Sequence, residues 1–392
     1  MFKLFGDKII WSISILLFIG SVLLVYSAGG SESIMNHITH LIIGLGLIFI
    51  ISRFNYKYFT NLSSILLFIS ALMLLWLIVN PSYRDNVIAS RWIGFGPFSF
   101  QPSELAKYSL ILFICRNMFV YKDILRSFKS FFSLIILPTL IISALILPSN
   151  LSTVILLLVI IFFIVFFSGF PIMLIFKYLI LPSVFALGIF FLLLCLSPIN
   201  IVDKVLPRFT TWKNRICVKQ ESNPNNIYNK IPFKWVDCSN YNPDENHSNN
   251  YQIRKALAAI SRGGFVGMGA GKSYYKRSLP DSKSDFIFAI LIEEYGLIGG
   301  VGVLILYLLF YQRILILSIR SKEEFPRLLV LGLGTIIVFQ ALLHMLVSVN
   351  LVPVTGQTLP LISKGGSSVW VTSLAFGIIL NISHQIKNQD TS

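Results

Sequence analysis

Residues Leu279–Gly300 read LPDSKSDFIFAILIEEYGLIGG, and this stretch decides what kind of protein the chain forms. A long polar segment ends here. An apolar run follows, with Asp285 at its mouth and Glu293 and Glu294 carried into its interior. Ionisable groups at a membrane helix centre cost at least ~2.5 kcal/mol on insertion scales, so they face protein or a polar cavity. An acid at the lip of such a helix, below a basic and glycine-rich loop, suits chemistry on an anionic substrate at the bilayer surface.

The composition around this stretch is that of a membrane protein. Of 392 residues, 55% are hydrophobic and 12% charged, where a soluble domain carries about 25% charged residues. Ten runs are long enough, or nearly so, to cross a ~30 Å hydrocarbon core. They fall at Ile9–Ser27, His37–Ser52, Asn61–Asn80, Ser103–Val120, Phe131–Leu147, Leu151–Gly169, Leu174–Leu196, Asp285–Tyr311, Leu328–Val349 and Gly366–Ile386. The expected fold is therefore all-α, a single polytopic membrane domain over residues 1–392 with about ten transmembrane helices and one large external loop at 197–284. Lys3 and Lys8 precede the first run without a small-residue cleavage site after it, so that run reads as an uncleaved span.

Loop charge sets the orientation. One set of short loops carries Arg53, Lys57, Lys122, Arg126, Lys129, Arg313, Arg320, Lys322 and Arg327. The opposite short loops carry Arg84, Arg91 and Lys364. Both termini are then expected to be cytoplasmic, and the net charge of +15 needs no nucleic acid to explain it. The long loop is also rich in Lys and Arg, and loops of that length are exempt from the rule. Its charge points to an anion.

Cys217 and Cys238 flank an Asn-rich insert in this loop and are expected to pair in an oxidising periplasm, two unrelated thiols being the alternative. The five His residues form no ligand-spaced cluster with Cys or carboxylates, so no metal site is identified.

Three external segments carry the remaining signal. In Ala89–Lys107, ASRWIGFGPFSFQPSELAK, Pro102 suits the first turn of a helix, and Glu104 and Lys107 form an i, i+3 pair. That is either a local ion pair or, with Arg91, the lining of a polar mouth. In Tyr251–Ser273, YQIRKALAAISRGGFVGMGAGKS, Ile253, Leu257 and Ile260 make one apolar helix face, expected to rest on the membrane plane with Lys255 and Arg262 near headgroup phosphates. Its ending resembles a nucleotide P-loop but fails the pattern, because Val266 stands where a glycine is required. Its glycines either bring backbone N–H groups to an anion or make a tight re-entrant turn. In Asn350–Ser368, NLVPVTGQTLPLISKGGSS, Pro353, Gly356, Pro360, Gly365 and Gly366 prevent regular helix, and such backbone must be buried or line a cavity.

Together, ASRWI…QPSELAK, GGFVGMGAGKS…LPDSKSDFIFAILIEEYGLIG and PVTGQTLPLISKGGSS resemble the signature blocks of the SEDS proteins (shape, elongation, division and sporulation), in the same order and over most of the chain. The G-x-G-x-S-x-x-K spacing and TLPLIS look more like the division branch, FtsW, than the elongation branch, RodA. Ser284 stands where many relatives have Thr, and Lys364 where many have Tyr.

The resemblance implies a ten-span membrane glycosyltransferase of the bacterial inner membrane that polymerises lipid II into β-1,4 glycan at the division septum. One inversion at the sugar requires one displacement, with one general base and no protein nucleophile. Asp285 matches the family's catalytic position; its other role is first-turn placement at a helix N-terminus, worth ~0.3–1 kcal/mol. The expected substrate-binding residues are Arg91, Gln101, Glu104, Lys107, Lys255, Arg262, Lys272, Ser363, Ser367 and Ser368. Basic residues or a divalent cation (Mg or Mn) would compensate the pyrophosphate, and no nucleotide is expected. Glu293, Glu294, Gly365 and Gly366 are expected to be structural. Implied partners are lipid II, the nascent lipid-linked glycan, a class B penicillin-binding protein and other divisome membrane proteins. The alternatives are the elongation-specific polymerase, a lipid II transporter that uses Glu293 and Glu294 for proton coupling, and a non-catalytic scaffold.

Overall fold

The computed structural model describes residues 5–80, 91–95, 98–180, 188 and 247–391. The expected disulfide of Cys217 and Cys238 and most of the span expected at Leu174–Leu196 lie outside them. Among the described residues the elements are α1 (Lys8–Ile51), α2 (Lys57–Val79), β1 (Ile93–Phe95), β2 (Phe98–Phe100), α3 (Pro102–Val120), α4 (Phe128–Ile146), α5 (Leu151–Phe167), α6 (Ile172–Ile175), α7 (His247–Gly263), α8 (Ile287–Arg320), α9 (Glu324–Ser348) and α10 (Gly366–Thr391). The strands form one short antiparallel ribbon with Ile93 opposite Phe100.

Seven helical segments among the described residues are long and apolar enough to cross a membrane, so the chain is a multi-pass α-helical membrane protein. They are the two arms of α1 (Lys8–Gly30 and Ile34–Ile51), α2, α4, α8, α9 and α10. The α1 arms double back at Gly30, whose φ of 67° suits a residue without Cβ. Both ends of α1 meet the same part of α10: Asp7 N donates to Ser383 Oγ (2.9 Å) and Asn381 Nδ2 to Ser52 O (2.9 Å). In α9 and α10, 78% and 83% of the apolar stretch is buried, against 17% in α2, so α9 and α10 form the centre and α2 the lipid-facing rim. Helix α3 carries Glu104, Lys107 and Arg116, too many charges for a simple span, and is buried along most of its length.

The span expected to start at Asp285 is corrected in two respects. Its helix starts at Ile287, with Asp285 in the preceding turn, and it breaks at Gly296 (φ 68°, ψ −172°). The break frees backbone groups at membrane depth, and the glycine-rich segment after α7 takes them up. Met268 N and Gly269 N donate to Glu293 O and Glu294 O, at 2.9 Å each. In return, Leu297 N donates to Gly264 O (2.9 Å) and Ile298 N to Phe265 O (3.2 Å). Glycine is required because the chains touch: a Cβ on Gly263, Gly267 or Gly296 would collide with facing backbone. Of the two readings of this segment, the re-entrant turn is the one observed, since the amides of Gly267, Met268 and Gly269 are spent on carbonyls.

Helix α7 differs from expectation for a related reason. Its apolar face, with Ile253, Ala256 and Ile260, packs against Phe286, Ala289 and Ile290 at the start of α8 and Val347 of α9, leaving Leu257 exposed. It lies on protein rather than on a lipid surface, because the α8 start offers an apolar face of its own.

Candidate active site

The turn before α8 is built to hold Asp285 at an edge. Ser284 N and Phe286 N both donate to Asp281 O, at 3.0 and 3.3 Å, and Asp281 adopts a left-handed φ of 52°. The third loop braces this turn: Ser363 Oγ donates to Ser284 O (2.7 Å), and Lys364 N donates to Lys283 O (2.9 Å). Phe286 occupies the cap position of α8, so Asp285 precedes the cap and lies outside the first helical turn.

Arg91 stands beside Asp285. A Cβ on Gly356 would lie 2.7 Å from Arg91 Nη1 and 3.3 Å from Asp285 Oδ2, so the two side chains meet across the space this glycine leaves open. Arg91 Nε donates to Ser149 O (3.1 Å), which fixes the guanidinium. Burial pushes its pKa down and the Asp285 charge draws it back up; an arginine so placed stays charged.

A cavity of about 1140 Å³ opens next to the turn that carries Asp285, with neither Asp285 nor Arg91 itself among its lining residues. Ser284 and Trp92, the sequence neighbours of Asp285 and Arg91, are in its wall. So are Lys276, Arg277, Lys283, Lys364 and His40, with Asp281 as the one carboxylate among its described lining residues. Lys276 Nζ also donates to Gly271 O (2.6 Å). Such a basic cavity at a helix end is complementary to a phosphorylated ligand.

The residues expected to bind substrate divide sharply. None of them is in the cavity wall, whereas Gly365 and Gly366, expected to be structural, are. Gln101, Ser363, Ser367 and Ser368 are buried in contacts between segments: Gln101 N donates to Ser367 Oγ (3.1 Å), and Ser368 Oγ bonds Thr358 Oγ1 (2.8 Å). Glu104 and Lys107, expected at the mouth, lie beneath it. Lys107 is fully buried and its Nζ holds Glu104 Oε1 and Gln340 Oε1, each at 2.8 Å. Gln340 Nε2 then donates to Thr358 O (3.0 Å), and His344 Nδ1 bonds Gln357 O (2.8 Å), which pins the non-helical loop from within. Lys255 and Arg262 lie over the Tyr275 and Tyr274 rings, and Lys272 is exposed; none of the three is in the cavity wall. The cavity bases went unnoticed although their signal was local, a run of Lys and Arg in KRSLPDSKS just before Asp285.

Glu293 and Glu294 hold the loop that roofs this region. Glu293 accepts from Ser273 Oγ, from Tyr274 N (2.9 Å) and from Tyr275 N (3.4 Å). Glu294 accepts from Ser27 Oγ of α1 and from Ser273 N (3.3 Å). Among the described residues no group of three His, Cys, Asp or Glu converges as a metal cage would require.

With this geometry in view, the family model described as a cell cycle protein, FtsW/RodA/SpoVE, matches residues 7–388. The chain belongs to this family. A probable peptidoglycan glycosyltransferase FtsW of Coxiella burnetii is 28% identical, over 90% of this chain and 87% of its own. A peptidoglycan glycosyltransferase RodA of Treponema pallidum is 26% identical, over 92% and 93%. Among solved structures, a chain of a peptidoglycan synthase complex that coordinates polymerization and crosslinking has a TM-score of 0.70 at 24% identity, covering 98% of this chain and 99% of that one. The rod shape determining protein RodA of Thermus thermophilus gives 0.63 at 22%, covering 96% of each. Ser284 and Lys364, the two positions read from the sequence as differing from the SEDS blocks, both line the cavity.

Glu293→Gln should free the segment 273–276. The groups it accepts from are all donors, so a side-chain NH₂ opposite them removes bonds worth about 1.5–3 kcal/mol when one partner is charged. Amide hydrogen exchange at Tyr274 and Tyr275 should accelerate about ten- to a hundredfold, and unchanged protection would refute this bracing role.

Proposed function

We propose that the chain is a peptidoglycan glycosyltransferase that polymerises lipid II at the outer face of the inner membrane, with Asp285 as its general base. The observation that carries this reading is the Asp285–Arg91 pair, whose sequence neighbours Ser284 and Trp92 line a basic cavity at one end of a membrane bundle. The basic wall suits the pyrophosphate of a lipid-linked donor. The 4-hydroxyl of the acceptor sugar attacks the anomeric carbon of the donor, and the bond to the pyrophosphate breaks. The hydroxyl proton passes to Asp285, and undecaprenyl pyrophosphate leaves with the bonding pair. A single displacement turns the α-linked donor into a β-1,4 product.

Arg91 keeps the carboxylate aimed across Gly356, and Lys276, Arg277, Lys283 and Lys364 offset charge on the departing group. A divalent cation would be held by the substrate phosphates and one or two carboxylates, which suits Mg²⁺ and needs no protein cage. Asp281 in the cavity wall and Asp285 in the turn next to it are the carboxylates in position. Bound there, the ion would neutralise pyrophosphate charge.

Glu293 and Glu294 are engaged by loop and α1 donors, which favours a bracing role over proton coupling in a transporter. The relative described as a synthase complex supports a class B penicillin-binding protein as partner.

Asp285→Asn keeps the shape of the side chain but not its capacity to take a proton. With purified protein and lipid II, polymerisation should fall ~10²–10⁴-fold while the variant still inserts and folds. Near wild-type glycan synthesis would remove Asp285 from the chemistry. For orientation, with both termini cytoplasmic, a reporter fused after Asn246 should be active in the periplasm, and a cytoplasmic signal would reverse the topology. The division role, inferred from the FtsW-like spacing, predicts filaments on depletion. Rounded cells that still divide would assign the chain to elongation.

A further inference from the structure

A second basic cavity, of about 420 Å³, lies at the opposite end of the bundle from Asp285. Helix α8 starts beside Asp285 and runs 34 residues to Arg320, which is in the wall of this second cavity. The N-terminus of α1 contributes Asp7 and Lys8, α8 contributes Arg313 and Arg320, and α10 contributes Lys387. Four bases thus face one carboxylate among the described lining residues.

That carboxylate is occupied within the fold. Asp7 Oδ1 accepts from Ile9 N (2.8 Å) and Ile10 N (3.3 Å), and Oδ2 takes Arg313 Nε and Nη2, each at 2.5 Å. Arg313 is thereby structural, tying α8 to the start of α1. Lys8 and Arg320 are exposed and have no share in this pair.

Helix dipoles account for part of the pattern, since bases are favoured at the ends of α8 and α10. They do not account for Lys8, the first residue of α1, where a cation is disfavoured. Nor do they explain why bases from three helices converge on one concavity. A bound anion would satisfy both. Apolar side chains near it point to the kind of anion: Ile9, in the cavity wall, is 47% exposed, and Ile319, the sequence neighbour of Arg320, is 83% exposed. In a membrane protein such residues meet acyl chains, so a headgroup in the cavity could keep its tails on adjoining apolar surface. Basic pockets between membrane helices bind acidic headgroups in this way.

We infer that this cavity is a binding site for the headgroup phosphate of an anionic phospholipid. Lys8, Arg320 and Lys387 contact it, and Arg313 shapes its floor.

The test uses the full chain in nanodiscs of phosphatidylcholine doped with phosphatidylglycerol, with native mass spectrometry counting the lipid retained. Wild type should retain phosphatidylglycerol selectively. K8Q/R320Q/K387Q, which spares the Asp7–Arg313 pair, should retain roughly tenfold less. K57Q/K129Q, which removes exposed bases at the same end but away from the cavity, should behave as wild type. R320Q alone is the second variant if the triple substitution unfolds, and it should still lower retention. Equal retention by wild type and the cavity variants would overturn the site, as would an equal loss in K57Q/K129Q. Displacement of the lipid by millimolar glycerol 3-phosphate would overturn the lipid assignment in favour of a soluble phosphate. Displacement only by an acidic peptide would overturn it in favour of a protein partner.

Discussion

A helix that breaks inside a membrane leaves carbonyls and amides without partners, and an unpaired backbone group in an apolar setting costs several kcal/mol. In α8 the break at Gly296 frees the carbonyls of Glu293 and Glu294 and the amides of Leu297 and Ile298, and segment 264–269 pairs with all four. Neither partner is stable alone. The loop has too many glycines to hold a shape in water, and the broken helix has too many open bonds to sit in lipid. Their mutual pairing fixes where α7 ends and where the 273–276 segment starts. Through Glu293 and Glu294 it also fixes how that segment approaches Asp285. The same two residues therefore meet two demands: their backbone carbonyls close the break, and their carboxylates anchor the loop above it.

A second constraint works from below. The loop from Val352 to Gly365 runs without helix through a largely buried site, so its polar groups must be met from inside the bundle. Gln340 and His344 of α9 meet two carbonyls, and Lys107 and Glu104 of α3 complete the chain of contacts. A buried ion pair gives little net stability, but losing one partner strands the other, at about 3–5 kcal/mol. Lys107 is therefore positioned to fix geometry: a change there would reach Asp285 through Gln340, Thr358 and the loop that carries Gly356.

Much of this was legible in the sequence because membrane depth leaves few options. Apolar run length located the seven spans found among the described residues. Proline and glycine marked the third segment as non-helical, and the carboxylates of α8 announced a polar site. What escaped was whatever depends on distance across the fold. Periodicity cannot show that α7 turns its apolar face to α8 instead of lipid, or that Gly263 and Gly267 are small because the backbone of 292–296 lies against them. An i, i+3 pair such as Glu104 and Lys107 looks alike at a wet mouth and in a dry core, and burial alone separates the two. The cavity bases are the converse case: Lys276, Arg277 and Lys283 are an ordinary run of charges on a polar loop, and Lys364 lies in a separate segment, yet all four surround one space.

The position of Asp285 follows from these two constraints taken together. Within the first turn of α8 the carboxylate would point along the bundle wall and spend its oxygens on free amides. Two residues earlier, in a turn held by Asp281 O and the Ser363 hydroxyl, it meets Arg91 over Gly356. A side chain at 356 would intrude between carboxylate and guanidinium, and the residue's φ of 64° is one that L-residues rarely adopt. Space and backbone thus select the same residue. The glycine that lets the loop turn is also the one that leaves the acid and its cation room to face each other.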